Sequence, residues 1–235
     1  METNYIKNID CRLGLAGLPD ESIDCVITDV PYHITHHGTS SCGGIFANSN
    51  PNSQDGKLFD HNDIEFSEYL PELYRVLKPN THCYLMINGL NLKDLQQAAE
   101  DAGFRMQNIL VWRKNTATPN QYYMQCLEFI LMLRKGAARR VNDCGISNCL
   151  SVPNIIGKGD KNEHPTAKPV LLMQVMVEQS TNKGDVVLDP FAGGGSTLVA
   201  AKRAERQYIG FEIDKKYFDI AERKLYREPM QATLF

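Results

Sequence analysis

The chain has 235 residues, 43% of them hydrophobic and 23% charged, with a net charge of −3 at pH 7; this fits one large α/β domain with a proper core and argues against a generic nucleic-acid-binding polycation. No apolar run reaches the roughly 20 residues that span a bilayer, and the opening METNYIKNIDC lacks the basic start and apolar core of a secretory signal, so a cytoplasmic location without membrane contact is expected. Seven cysteines with no CxxC pair speak against a disulfide framework, and neither Cys144 with Cys149 nor the cluster His36, His37, Cys42 has the second half of a zinc pattern, so no metal is expected.

In chain order, SIDCVITD is the first predicted strand, cut short at Pro31 because proline fixes its own φ and holds the preceding residue extended. FSEYLPELYRVLK reads as a helix despite Pro71, THCYLMIN as a strand, and LKDLQQAAEDAG as a helix stopped at Gly103. FRMQNILVWRK and LEFILMLRK are two more strands with too little chain between them for a crossover helix, which predicts an antiparallel hairpin with a long tip. KPVLLMQVMVEQST (helix), DVVLDP (strand), STLVAAKRA (helix), QYIGFEI (strand) and DKKYFDIAERKLY (helix, N-capped by Asp214) complete the series. Alternating elements predict a mainly parallel sheet covered by helices on both faces, with ligands beyond the carboxyl ends of its strands. Two long polar segments, residues 33–63 and 136–163, fit no element; loops of that length are usually functional or disordered.

Two strand tips share one grammar: strand, acid, proline. At the second, DPFAGGGST, glycines let backbone N–H groups approach a ligand and the next helix offers its positive end. The turn lacks the ending of a P-loop and the spacing of the dinucleotide fingerprint, but Glu212 closes the following strand, where an acid can accept hydrogen bonds from two ribose hydroxyls. A nucleoside is the expected ligand. At the first tip, DVPY, the Asp29 carboxylate and the Val30 carbonyl are two acceptors suited to an exocyclic NH₂ on a planar ring, and Tyr32 adds a face on which that ring stacks, worth about 1–3 kcal/mol. Acceptors there also stabilise the positive charge that forms when such an amine attacks an electrophile.

These motifs resemble the amino-methylating DNA methyltransferases that use S-adenosylmethionine, in the permuted β group where the catalytic tetrapeptide precedes the glycine motif. DVPY (Asp29, Val30, Pro31, Tyr32), HPTAKP (His164 to Pro169), DPFAGGGST (Asp189 to Thr197) and IGFEID (Ile209 to Asp214) carry the resemblance in the family's order. It implies a single domain, 1–235, with a Rossmann-like methyltransferase fold: a mainly parallel seven-stranded sheet with an antiparallel hairpin. It places Phe191, Gly193 and Gly195 at the methionine side of the cofactor and Glu212 with Ile213 at its ribose. His164, Lys168 and Ser196 or Thr197 fall to its carboxylate, Asp10 with Cys11 to its adenine, and Asp29 and Asp189, at the two tips, are counted among the residues that bind the cofactor as well. Val30 stands where most relatives have proline, which keeps the carbonyl and loses rigidity. Aspartate at position 29 favours adenine N6 over cytosine N4 as the target; a catalytically silent DNA-binding module is the alternative of a different class. No cysteine follows a proline as a carbon-5 cytosine enzyme requires.

A base inside a duplex must be flipped out to reach such a pocket. The loop 33–63, beginning with His33, is placed to close over it. From Arg105 to Arg140 seven basic residues face one acid, Glu128, so Arg113, Lys114, Arg134, Lys135, Arg139 and Arg140 are expected to contact phosphates of double-stranded DNA. Segments 115–125 and 136–163 are expected to supply base readout. Little chain is left over for a recognition domain, which suggests a short recognition site or a partner subunit that helps hold the duplex, and the resemblance implies a homodimer as one such arrangement. Gln231, Leu234 and Phe235 resemble the short tail by which bacterial replication proteins dock on the sliding clamp. Host regulation, restriction protection and phage self-protection are all open as its purpose.

Overall fold

The computed structural model describes residues 1–31, 64–118, 123–137, 139–154 and 167–228. Its elements are β1 (Tyr5–Asn8), α1 (Cys11–Ala16), β2 (Ile23–Asp29), α2 (Phe66–Val76), β3 (Leu77–Ile87), α3 (Leu92–Asp101), β4 (Arg105–Thr118), β5 (Gln125–Arg134), β6 (Cys149–Leu150), α4 (Val170–Ser180), β7 (Val186–Asp189), α5 (Ser196–Arg203), β8 (Gln207–Glu212) and α6 (Lys215–Arg227). The strands form one sheet in the order β1-β8-β7-β2-β3-β5-β4-β6. Among the described strands only β5 runs against the rest, antiparallel to both β3 and β4. The α/β class, the mainly parallel sheet and the hairpin are as the sequence predicts. The sheet has eight strands among the described residues where seven were expected, because the two-residue β6 adds itself in parallel to the outer edge of β4.

Side chains on the central strands are apolar on both faces, the pattern of a sheet covered on both sides. In β2, Ile23 and Val26 join a core with Leu15 of α1, Leu73 of α2 and Leu95 of α3, while Cys25 and Ile27 join a second core with Met176 of α4, Leu198 of α5 and Leu225 of α6. Fully burying one aliphatic side chain stabilises by about 1.5–3 kcal/mol, so the two layers fix the sheet from both sides. Asp214 caps α6 as its sequence predicts, accepting from the backbone N–H groups of Lys216 and Tyr217. Among the described residues no helix is long and apolar enough to cross a membrane.

From β2 the chain moves to β3 on one side, and from β7 to β8 on the other. The sheet therefore reverses its winding between β2 and β7, which pair in parallel at Cys25–Val187 and Val26–Leu188. Crevices at such reversals, beyond the carboxyl ends, are where open α/β sheets bind ligands.

Candidate active site

The reversal brings both strand tips side by side. Thr28 donates from its Oγ1 to Asp189 Oδ1 at 2.7 Å, across the boundary between β2 and β7. The same Asp189 oxygen accepts the Phe191 N–H at 3.2 Å, which shapes the start of the glycine turn. Gly193 and Gly195 both take positive φ, and Gly195 is the N-cap of α5. Glu212 bridges the turn to the next helix: its Oε2 accepts from Gly193 N at 2.7 Å and its Oε1 from Asp214 N at 2.8 Å. Burial raises the Glu212 carboxyl above its ordinary range, against these two N–H bonds. Phe191 is braced edge-on by Tyr69, ring centres 4.9 Å apart.

Asp29 projects from the tip of β2 and pairs with Lys168, which stands just ahead of α4. The lysine side chain is 11% exposed and the aspartate 32%, so the carboxylate is reachable from outside while its partner is sheltered. Lys168 also lies 3.5 Å from Glu128 on β5, and Glu128 pairs with Lys114 on β4. Burial raises the Asp29 carboxyl, with Lys168 pulling it the other way. For Glu128 burial acts upward too, but Lys168 and Lys114 outweigh it and hold the group low. Ser196 Oγ donates to the Lys168 carbonyl at 2.8 Å, tying the lysine's backbone to the start of α5. The Val30 side chain is buried in the core beneath the tip, and its N–H donates to Met86 O at 3.3 Å. Packing thus restrains the position where proline's rigidity is missing.

Several expected cofactor residues are engaged within the protein itself. Lys168 meets Asp29 and Glu128, Ser196 meets the Lys168 carbonyl, and the Thr197 hydroxyl bonds Asp189. Asp10 lies just beyond β1, next to the end of β8, where Ile9 N donates to Glu212 O at 3.1 Å. It caps α1 through Arg12 N at 2.8 Å, and the Arg12 guanidinium, 2.6 Å away, holds its carboxyl below the usual range. Cys11 points into the core, its thiol pushed up to about 12 by burial and the Asp10 charge. Ile213 is exposed beside Glu212. Tyr32, His33, the loop 33–63, His164 and the tail Gln231, Leu234, Phe235 lie outside the described residues.

The basic tract is not one surface. Arg113 and Lys114 stand near the carboxyl end of β4, close to the tips, but Arg134 pairs across β5 with His82 near the opposite end of the sheet. Six residue steps along β5 separate it from Glu128, about 20 Å of strand. There Lys135 binds Leu77 O at 2.8 Å and lies over the Tyr74 ring, Arg134 binds Gly136 O, and Arg140 Nε donates to Cys144 Sγ at 3.1 Å. The Arg139 carbonyl faces His82 Nε2 at 3.1 Å. Asn142 is fastened to the far end of α4 through Glu178 O and Thr181 O. Among the described residues after 136, the chain comes back beside the far part of β4 at Asn154, whose N–H and Nδ2 donate to Asn115 Oδ1 and Thr116 Oγ1 at 2.8 and 2.7 Å.

Asp189 supplies a measurable signature of this crowding. Burial pushes its carboxyl up to about 6, even though Thr28, Thr197 and the Phe191 N–H favour the charged form. With the folded value above the unfolded one, its contribution to stability is complete below the unfolded value of 3.8 and is lost as the pH rises through about 6. A gap of about two units corresponds to about 3 kcal/mol. Asp189→Asn, which cannot ionise, should therefore gain up to about that much on the wild type between pH 4 and pH 8, read from urea midpoints. A difference that stays constant across that range would show that the carboxyl titrates normally.

The comparisons agree with this geometry. The sequence model of the family described as DNA methylase (N6_N4) matches residues 23–223. The chain is similar to the Type II methyltransferase M2.DpnII of Streptococcus pneumoniae, 30% identical over 91% of this chain and 86% of that protein. M2.LlaDCHI of Lactococcus lactis subsp. cremoris is 29% identical over 95% of this chain and 90% of its own length. Among solved structures, the M1.HpyAVI–SAM complex superposes with a TM-score of 0.69 at 26% identity, covering 93% of this chain and 98% of that one. The cytosine-N4-specific PvuII DNA methyltransferase, at 17% identity and a TM-score of 0.72 over 95% and 86% of the two chains, shares the fold. With a family match across most of its length and both acid-bearing tips joined at one crevice, the chain belongs to the amino-methylating (N6/N4) DNA methylase family.

Proposed function

We propose that the protein transfers a methyl group from S-adenosylmethionine to the exocyclic N6 of adenine in double-stranded DNA. The observation that carries this reading is the Thr28–Asp189 bond, which sets the amine-binding tip beside the glycine turn. The residues fit the cofactor. Each Glu212 oxygen accepts one backbone N–H and retains a lone pair for a ribose hydroxyl, and Phe191 and the exposed Ile213 offer apolar walls. Bound there, S-adenosylmethionine supplies an electrophilic methyl group.

The chain's own part is positioning and charge. Lys168 occupies Oδ2 of Asp29, which leaves Oδ1 to accept an N–H of the target amine. That bond favours a more tetrahedral nitrogen and stabilises the positive charge it acquires. A carboxylate serves this purpose better than a neutral hydroxyl for either exocyclic amine, and the choice of adenine N6 rests on the family resemblance, in which aspartate at position 29 goes with that target. Exposed Arg113, with Asn115, Thr116 and Asn154 beside it, forms the polar rim that meets DNA near the flipped base, while Arg134, Lys135, Arg139 and Arg140 lie too far along the sheet to share that contact. The homodimer and the docking of the C-terminal residues on a sliding clamp belong to the same proposal.

Incubation with duplex DNA and S-adenosylmethionine, digestion to nucleosides and mass spectrometry should yield N6-methyladenine. N4-methylcytosine in its place would move the target to cytosine, and unmodified nucleosides would sink the enzymatic reading.

A further inference from the structure

Four charged side chains from four separate elements alternate in sign across the crest of the sheet: Lys114 on β4, Glu128 on β5, Lys168 ahead of α4 and Asp29 on β2. Glu128 pairs with Lys114, lies 3.5 Å from Lys168, the lysine that also pairs with Asp29, and its charge acts on Asp29 across the short gap between them. It is the sole acid between Arg105 and Arg140, and its side chain is only 23% exposed. A carboxylate withdrawn this far from water persists only where its partners compensate for lost hydration.

The chemistry proposed above explains why such a group stands there. Methyl transfer places a positive charge on the target amine next to Asp29. Lys168 holds the Asp29 carboxylate in place, yet its ammonium also cancels the charge the reaction needs. A neutral Asp29–Lys168 pair attracts a developing cation weakly. Glu128, on the other side of the lysine, restores a net negative charge to the group of three. Lys114 is a further step away from the reacting nitrogen, so its opposing effect there is smaller.

We propose that Glu128 is a positioning residue for methyl transfer: it acts through Lys168 by offsetting the lysine's charge, so that Asp29 meets the target amine as part of a net anion. This rests on the methyltransferase reading above. Among the described residues the charged groups facing Asp29 are Lys168, Glu128, Lys114 and Asp189, and Glu128→Gln changes one of them while keeping its shape.

Single-turnover methyl transfer by E128Q should fall about 10- to 100-fold, less than loss of a group touching the reacting amine, with S-adenosylmethionine affinity within about twofold of wild type. The Asp29 carboxyl, followed by carbon-13 NMR in the free protein, should titrate at lower pH than in wild type, because a negative neighbour has gone. If Glu128 merely propped up Lys168, the variant would release the ammonium from Asp29 and the titration would move to higher pH; that result overturns the proposal, as does an unchanged transfer rate. A wild-type protein that methylates no DNA would instead remove the functional reading, and the direction of the Asp29 titration would still decide the electrostatic arrangement.

Discussion

Asp29→Ala should lower methyl transfer by at least about 10²–10³-fold, the scale for removing a group aimed at developing charge, while S-adenosylmethionine still binds. The side chain is the most exposed of its charge network and stands at the mouth of the crevice, whereas Lys168 behind it is almost wholly sheltered. Alanine removes the acceptor for the target amine and takes from Lys168 one of its carboxylate partners. Asp29→Asn tests the same point with less disturbance: an amide keeps the volume but replaces one acceptor oxygen by an N–H₂ donor and removes the charge. The cofactor's expected holders, Glu212 and the glycine turn, are built on β7, α5 and β8 and bonded to one another through Gly193 and Asp214, so they persist in both variants. The checks are transfer of labelled methyl to DNA and calorimetric titration of the cofactor. Full activity in either variant would remove the carboxylate from the chemistry. Lost cofactor binding would reassign Asp29 to that pocket, and a wild type that binds DNA without methylating it would favour the silent binding module.

Both strand tips were legible in the sequence because their signals are local. Pro31 stops β2 directly after its acid, the glycines of DPFAGGGST open a helix, and Asp214 caps the next one. What no local pattern contains is adjacency. That β7 lies against β2 depends on pairing Cys25 with Val187 across most of the chain, and only that pairing turns two separate tips into one crevice. The same blindness hid the layout of the basic tract. Arg113 and Arg134 look continuous in a charge count, but the hairpin carries the second to the opposite end of the sheet. The short β1 and β6 went unread because four and two residues hold too little alternation to register. Glu128 did leave a trace, as the one acid in a basic stretch, but its meaning needed the position of Lys168, which the sequence places 40 residues away.

Gly195→Ala should be strongly destabilising. Gly195 sits at φ +79, and a Cβ there would lie 2.8 Å from Ala221 Cβ and 3.1 Å from Ala221 Cα. The obstacle is the backbone of α6, which cannot swing aside as a long side chain would. A left-handed residue that is not glycine costs about 1–2 kcal/mol, and overpacking a tight contact costs about 1–3 kcal/mol, so the expected loss is about 2–5 kcal/mol. Gly184→Ala separates the two contributions: its φ is +85, but nothing lies within 4 Å of the added carbon. That variant should lose only the backbone part. Urea unfolding of the two proteins isolates the packing contribution as their difference. The consequences for binding diverge as well. Gly195 accepts the Val199 N–H that begins α5 and donates to Ala192 O at 2.7 Å, so pushing it away from α6 disturbs the turn that Glu212 holds through Gly193. Cofactor affinity should therefore fall in Gly195→Ala and hold in Gly184→Ala. Equal losses of stability in the two variants would mean that the contact with α6 is slack, and that the turn's shape is set by backbone conformation alone.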